Sequence, residues 1–230
     1  MKHLFLGICS ILFLQVMAHA QNKNADWANF KRFDSANQAV KQLPQSERKV
    51  VFMGNSITEG WWDHDPEYFT SNKYVNRGIS GQTTSQMLIR FRKDVIGLHP
   101  KAVVILAGTN DIAGNTGYIA LDNILGNLIS MCELARANKI IPVLCSLLPA
   151  KDYPWSPGKE PDVKIPELNK MIKDYCDKRH ITYVDYFSAM TDGNNGIRKE
   201  IAADGVVHPN LEGNKIMEKV LDPVLKKVVR

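Results

Sequence analysis

The sequence predicts an α/β fold in which a parallel sheet of about five strands is covered on both faces by helices. Three observations carry this. Short apolar, β-branched runs alternate with longer segments whose apolar residues recur at threes and fours. The clearest run, residues 102–107, is continuously apolar, as strands buried on both faces of a sheet are. Several runs end in turns rich in glycine, asparagine and serine, at the sheet edge where open α/β folds bind ligands.

The first twenty residues stand apart from this pattern. Lys2 precedes an almost uninterrupted apolar run over residues 4–16, and Ala18-His19-Ala20 is a small-x-small cleavage pattern. Residues 1–20 read as a signal peptide and residues 21–230 as one domain, exported to the periplasm or secreted. The apolar core is short for a membrane span, so no integral span is expected after cleavage. Cys9 follows Ile8 and lies too early for a lipoprotein reading.

Over residues 26–43, Trp27, Phe30, Phe33, Ala36, Val40 and Leu43 predict an amphipathic helix ended by Pro44. The run Val50-Val51-Phe52-Met53 predicts the first strand, stopping at Gly54-Asn55-Ser56. Residues 61–73 read as an irregular loop, with Trp61 and Trp62 assigned to packing. Its Asp63-His64-Asp65 triplet reads as solvated, because neighbours on one loop rarely converge on one ion. Tyr74-Val75-Asn76-Arg77 predicts a second strand, and a helix follows from about Thr84. Residues 118–138 predict a helix, 140–148 a strand, 149–161 a long proline-rich loop, 164–179 a helix, 181–187 a strand and 211–228 a closing helix. His64, His99 and His180 read as loop or helix-end residues.

Composition narrows the partners. With 44% hydrophobic residues the chain can bury a full core. Its net charge of +5 is spread among interleaved acids, so no nucleic-acid partner is indicated. Beyond the leader, Cys132, Cys145 and Cys176 are odd in number and show no CxxC spacing. Cys145, inside an apolar run, reads as a buried thiol, and one disulfide pair is left open.

Four stretches carry chemistry: the Ser56 turn, Gly78-Ile79-Ser80-Gly81, Gly108-Thr109-Asn110-Asp111, and Asp204-Gly205-Val206-Val207-His208-Pro209. The first three follow strands of one parallel sheet and so open onto one edge. The last precedes the closing helix, which can return His208 over that edge. Acyl transfer needs a nucleophile, a base and donors for the oxyanion. Ser56 supplies the oxygen and His208 the base. The Gly81 N–H, the Asn110 side-chain amide and the Ser56 N–H supply the donors. Asn55 is expected to hold the turn, and Asp111 to cap or brace its loop.

In their order and distances, these four stretches resemble the four blocks of the SGNH (GDSL-type) hydrolase superfamily over essentially the whole chain beyond the leader. Asn55 stands where the family name has aspartate. The resemblance implies a flavodoxin-like three-layer α/β/α sandwich and a serine esterase needing no metal or other cofactor. It also implies an acidic partner for the histidine three residues before it. Here Gly205 occupies that position and Asp204 stands four before His208, so an extra residue must be absorbed if Asp204 is to reach the ring. The expected substrate is a small-molecule or carbohydrate ester, with a short acyl or acetyl group. A lysophospholipase or thioesterase for longer chains, or a catalytically silent carbohydrate-binding relative, are the alternatives.

Overall fold

The computed structural model describes residues 26–229; the leader reading lies outside them. Five strands form one sheet in the order β2-β1-β3-β4-β5. They are β1 (Val50–Gly54), β2 (Tyr74–Gly78), β3 (Ala102–Leu106), β4 (Ile141–Cys145) and β5 (Thr182–Val184). All four pairings are parallel, with Val50 opposite both Tyr74 and Ala102. Between and around them lie α1 (Asp34–Gln42), α2 (Ser56–His64), α3 (Pro66–Asn72), α4 (Thr84–Asp94) and α5 (Thr109–Ala113). The chain continues through α6 (Leu121–Ala137), α7 (Pro161–Arg179), α8 (Tyr186–Met190) and α9 (Leu211–Val228).

Alternation along the strands divides the interior into two cores. Val51, Met53, Val103, Ile105 and Leu144 face α4, α6 and α7, meeting Phe91, Leu128 and Ile172 among others. Val50, Phe52, Val104, Val143 and Cys145 face α2, α3, α8 and α9, where Trp61, Phe69, Tyr186 and Leu221 pack. Two helical layers therefore sandwich the sheet, as the sequence predicts.

Several elements differ from expectation. The first helix begins only at Asp34. The Asp26 carboxylate accepts the N–H groups of Phe30 and Lys31 at 2.8 and 2.9 Å, and Asn29 takes a φ of +54°, so the preceding residues form turns. Residues 61–73 are two helices, not a loop. Asp65 caps α3 by accepting the Tyr68 N–H at 3.1 Å, and Pro66 stands at its first position, where a missing N–H costs nothing. Trp61 is fully buried and stacks on Tyr68 at 5.3 Å, inside an aromatic cluster with Phe52 and Phe69. Trp62 is partly exposed. Strand β5 stops at Val184 because Asp185 caps α8 through the Ser188 N–H. His99 and His180 close helices in the left-handed conformation. Cys132, Cys145 and Cys176 are all buried and free, which closes the disulfide question left by the sequence.

The order of strands decides where a site can form. The chain steps from β1 to β2 on one side, then crosses back to β3 on the other. This is the flavodoxin-like switch point, and a crevice opens beyond the carboxyl ends of β1 and β3.

Candidate active site

Ser56 lies immediately after β1, as the first residue of α2. Asn55 caps that helix, its side-chain oxygen accepting the Ile57 N–H at 3.0 Å. The serine is thus held at the positive end of a helix, where developing negative charge is stabilised.

The turn after β2 is closed by the Gln82 N–H on the Ile79 carbonyl at 3.3 Å. Gly81 sits within it at a φ of +77°, which a side chain would strain. Asn115 donates to the Gly81 carbonyl at 3.0 Å. Glu59, one turn along α2 from Ser56, accepts the Ser80 N–H at 2.8 Å as well as the Ser80 hydroxyl. Its other oxygen takes an N–H of Arg32 at 3.0 Å. Burial alone would raise the Glu59 carboxyl; the Ser80 and Arg32 bonds outweigh it and lower its pKa.

Asn110 follows β3 in the short helix α5 and is buried. One hydrogen of its amide goes to the Gln82 carbonyl at 2.9 Å, leaving the second available. Asp111 accepts from the Thr84 N–H at 2.9 and 3.1 Å and from its hydroxyl at 2.5 Å, so it braces the start of α4. Burial pushes its carboxyl up to about 6 against these bonds.

A buried arginine that sequence reasoning missed joins these turns. Arg90 on α4 is wholly buried. It donates to the carbonyls of Gly54 (3.2 Å) and Arg77 (2.9 Å), to the Gln82 side chain (2.5 Å) and to Asp94 (3.1 Å). Asp94 in turn accepts from Asn37 of α1 at 2.7 Å. The ends of β1 and β2 and the Gly81 turn are thereby held on one guanidinium.

His208 arrives from the other direction. The Ala203 N–H bonds to the His208 carbonyl at 2.7 Å, closing a loop that Gly205 turns at a φ of +74°. The extra residue is absorbed there. One Asp204 oxygen accepts three backbone N–H groups, from Val206, Val207 and His208, at 2.8–3.0 Å. The other lies 2.6 Å from His208 Nδ1. On the far side of the ring, Nε2 stands 2.9 Å from Ser56 Oγ. Partial burial pulls the Asp204 carboxyl upward, but the Val207 N–H, the imidazole and the Val206 and His208 N–H groups together hold it at about 2. The loop runs into α9, whose position is fixed by bonds to α2 and α3. His64 meets Asn214 at 3.0 Å, Lys215 pairs with Asp65, and Tyr68 donates to Asp222 at 2.9 Å. His64 and Asp65 are therefore structural ties to α9, and no set of three or more metal-ligating side chains converges among the described residues.

Ser56, His208 and Asp204 thus form one hydrogen-bonded line, with Gly81 and Asn110 on neighbouring turns joined through Gln82. A sequence profile for GDSL-like lipases and acylhydrolases matches residues 52–216. The chain belongs to the GDSL-like lipase/acylhydrolase family. Its fold is that of a GDSL-like lipase from Bacteroides thetaiotaomicron, 45% identical with a TM-score of 0.84, matched over 88% of this chain and 99% of that one. An acylhydrolase candidate from Bacteroides fragilis is 44% identical with a TM-score of 0.85, over 90% and 100% of the two chains. An uncharacterized lipoprotein of Bacillus subtilis, YqeF, is 32% identical over 118 residues, 44% of this chain and 48% of that protein. The chain therefore spans about half the length of that curated relative. The family is one of lipases and acylhydrolases. No helix among the described residues is long and apolar enough to cross a membrane.

Proposed function

We propose that this GDSL-family protein is an exported serine esterase that removes a short acyl group, acetyl foremost, from a carbohydrate. The observation that carries the reading is the line from Ser56 Oγ through His208 to Asp204, at 2.9 and 2.6 Å. Ser56 Oγ attacks the ester carbonyl while its proton passes to His208 Nε2. Asp204, ionised, accepts the Nδ1 proton bond and stabilises the imidazolium that forms. The oxyanion is met by the N–H groups of Ser56 and Gly81 and by the free hydrogen of the Asn110 amide. Collapse expels the alcohol, which takes the proton from Nε2 and leaves the acyl group on Ser56. Water then attacks the acyl-enzyme, gives a proton to Nε2, and the acid departs as Ser56 recovers its hydrogen.

A preference for short acyl groups agrees with the position of the fold's apolar groove. A groove of about 590 Å³ runs between α1, α3 and β2, walled by Phe33, Val40, Leu43 and Phe69, but its lining includes neither Ser56 nor His208. A long-chain acylhydrolase needs its apolar channel to begin at the nucleophile. Export is supported by the leader pattern of residues 1–20 and agrees with the lipoprotein name of the Bacillus relative.

The test is a panel of chromogenic esters graded from acetyl to palmitoyl, run on the wild type and on Ser56→Ala. Acetyl is expected to turn over fastest. The Ala variant should keep its fold and lose kcat by roughly 10⁴ or more. Unchanged turnover in that variant would refute Ser56 as nucleophile, and a maximum at the long esters would favour the lysophospholipase or thioesterase reading.

A further inference from the structure

Trp61, Tyr68 and Phe69, beyond the first strand, are buried in the core and offer no surface to a sugar. A different aromatic stands at the site. Trp155, in the loop between β4 and α7, has its indole ring centroid 6.1 Å from that of His208, the planes tilted by 38°. One side of the indole stacks on Tyr153 at 5.0 Å. Tyr153 is completely buried, yet Trp155 keeps 46% of its surface open.

This exposure is built in. The Asp152 side chain accepts the Tyr153 N–H at 2.8 Å, and the Ser156 N–H returns to the Tyr153 carbonyl at 2.9 Å. The Ser156 hydroxyl reaches across to the Ala113 carbonyl at the end of α5 at 2.7 Å. Residues on both sides of the indole are thus tied down, one of them to the helix that carries Asn110. A large apolar ring is held partly in water, beside the base, by a buried aromatic underlay.

The chemistry says what must lie there. In the mechanism proposed above, His208 Nε2 hands its proton to the leaving alcohol. The alcohol half of the ester therefore sits on the histidine side of Ser56, and whatever flanks the imidazole selects that half. We propose that Trp155 is the specificity-determining residue for the alcohol and that it takes a pyranose ring, whose flat C–H face packs on an open indole face. This rests on the esterase reading and adds to it the residue that recognises the sugar. A rigid, pre-placed aromatic suits such a role because little side-chain entropy is lost on binding.

The experiment measures acetate release by the full-length protein from two substrates. Per-O-acetylated methyl glucopyranoside carries a ring that can cover the indole; the alcohol of ethyl acetate is too small to reach it. The expected result is that Trp155→Ala lowers kcat/KM on the sugar ester by about tenfold. Most of that loss should fall in KM, with ethyl acetate changing less than about twofold. Trp155→Phe should keep most of the sugar-ester activity. Equal losses on both esters would make Trp155 a support for His208 and overturn the proposal, as would no loss on either. A wild type that does not prefer the sugar ester would refute the pyranose assignment. If the wild type cleaves neither, the esterase reading itself fails and the proposal falls with it.

Discussion

Asp204 shows how one side chain meets two separate demands. Its first oxygen gathers the N–H groups of Val206, Val207 and His208, and so builds the loop; its second addresses His208 Nδ1. Asparagine separates these roles. The Asn oxygen can still accept the backbone donors, but the amide presents hydrogens to Nδ1 and favours the wrong tautomer. Asp204→Asn is therefore expected to lower kcat by up to about 10⁴ in a protein that still folds. Steady-state kinetics beside a melting curve would check it, and a variant retaining most of its kcat would leave a Ser56–His208 dyad. Because the carboxyl is held at about 2, below its ordinary 3.8, its stabilising contribution is complete above 3.8 and disappears only as pH falls through about 2. At this scale the sequence was informative because Ser56, Gly81, Asn110 and His208 each lie at an element boundary punctuated by glycine or proline. Trp155 was visible only as one aromatic in a long loop, since its distance from His208 depends on two loops meeting.

Among the elements, α4 does more for the site than its sequence shows. Arg90 stands between Ile89 and Phe91, and in a sequence nothing separates it from a solvated helix arginine. In the fold it is the donor for two strand-end carbonyls, for Gln82 and for Asp94. Arg90→Met should take a shared donor from these acceptors and leave the Asp94 charge buried without its countercharge, at a cost of about 3–5 kcal/mol. A fall in Tm of roughly 6–20 °C in a thermal melt is the expected reading for a domain of this size. A drop of a degree or two would mean that the network is dispensable. The strands were legible because Val, Ile and Leu runs buried on both faces have no competing interpretation. Helices α2 and α3 were not, because Gly60, the tryptophans and the charged triplet mask any apolar period. Their caps, Asn55 and Asp65-Pro66, were the signals available. The first helix was overextended for the opposite reason: the period of Trp27, Phe30 and Phe33 is helical, but Asp26 and Asn29 fold those residues into turns, and Trp27 stays half exposed.

The whole molecule is organised by a sheet whose strand order reverses at β1, so that turns distant in sequence meet over one crevice. Asp111 is a tie in that assembly. It follows β3, accepts from the first residue of α4, and through Thr84 is linked to Asn127 of α6, which donates to the Thr84 hydroxyl at 2.9 Å. It is also almost wholly buried, with its carboxyl raised from 3.8 to about 6 chiefly by desolvation. Between those two values the unfolded chain carries the charge and the folded protein holds the proton. Stability from this group is greatest below 3.8, declines as pH rises, and levels off above about 6. A rise from 3.8 to about 6 corresponds to about 3 kcal/mol, or roughly 6–12 °C in Tm. Asp111→Asn keeps an oxygen for Thr84 and removes the titration. Other carboxylates, Glu59 and Asp204 among them, have lowered values and add stability as pH rises, so the absolute curve mixes both signs. The difference in Tm between variant and wild type isolates Asp111. That difference should shift in favour of the asparagine protein as pH rises from 3.8 to about 6, then stay constant. A difference independent of pH would mean that Asp111 stays ionised in the fold, its bonds to Thr84 outweighing its burial.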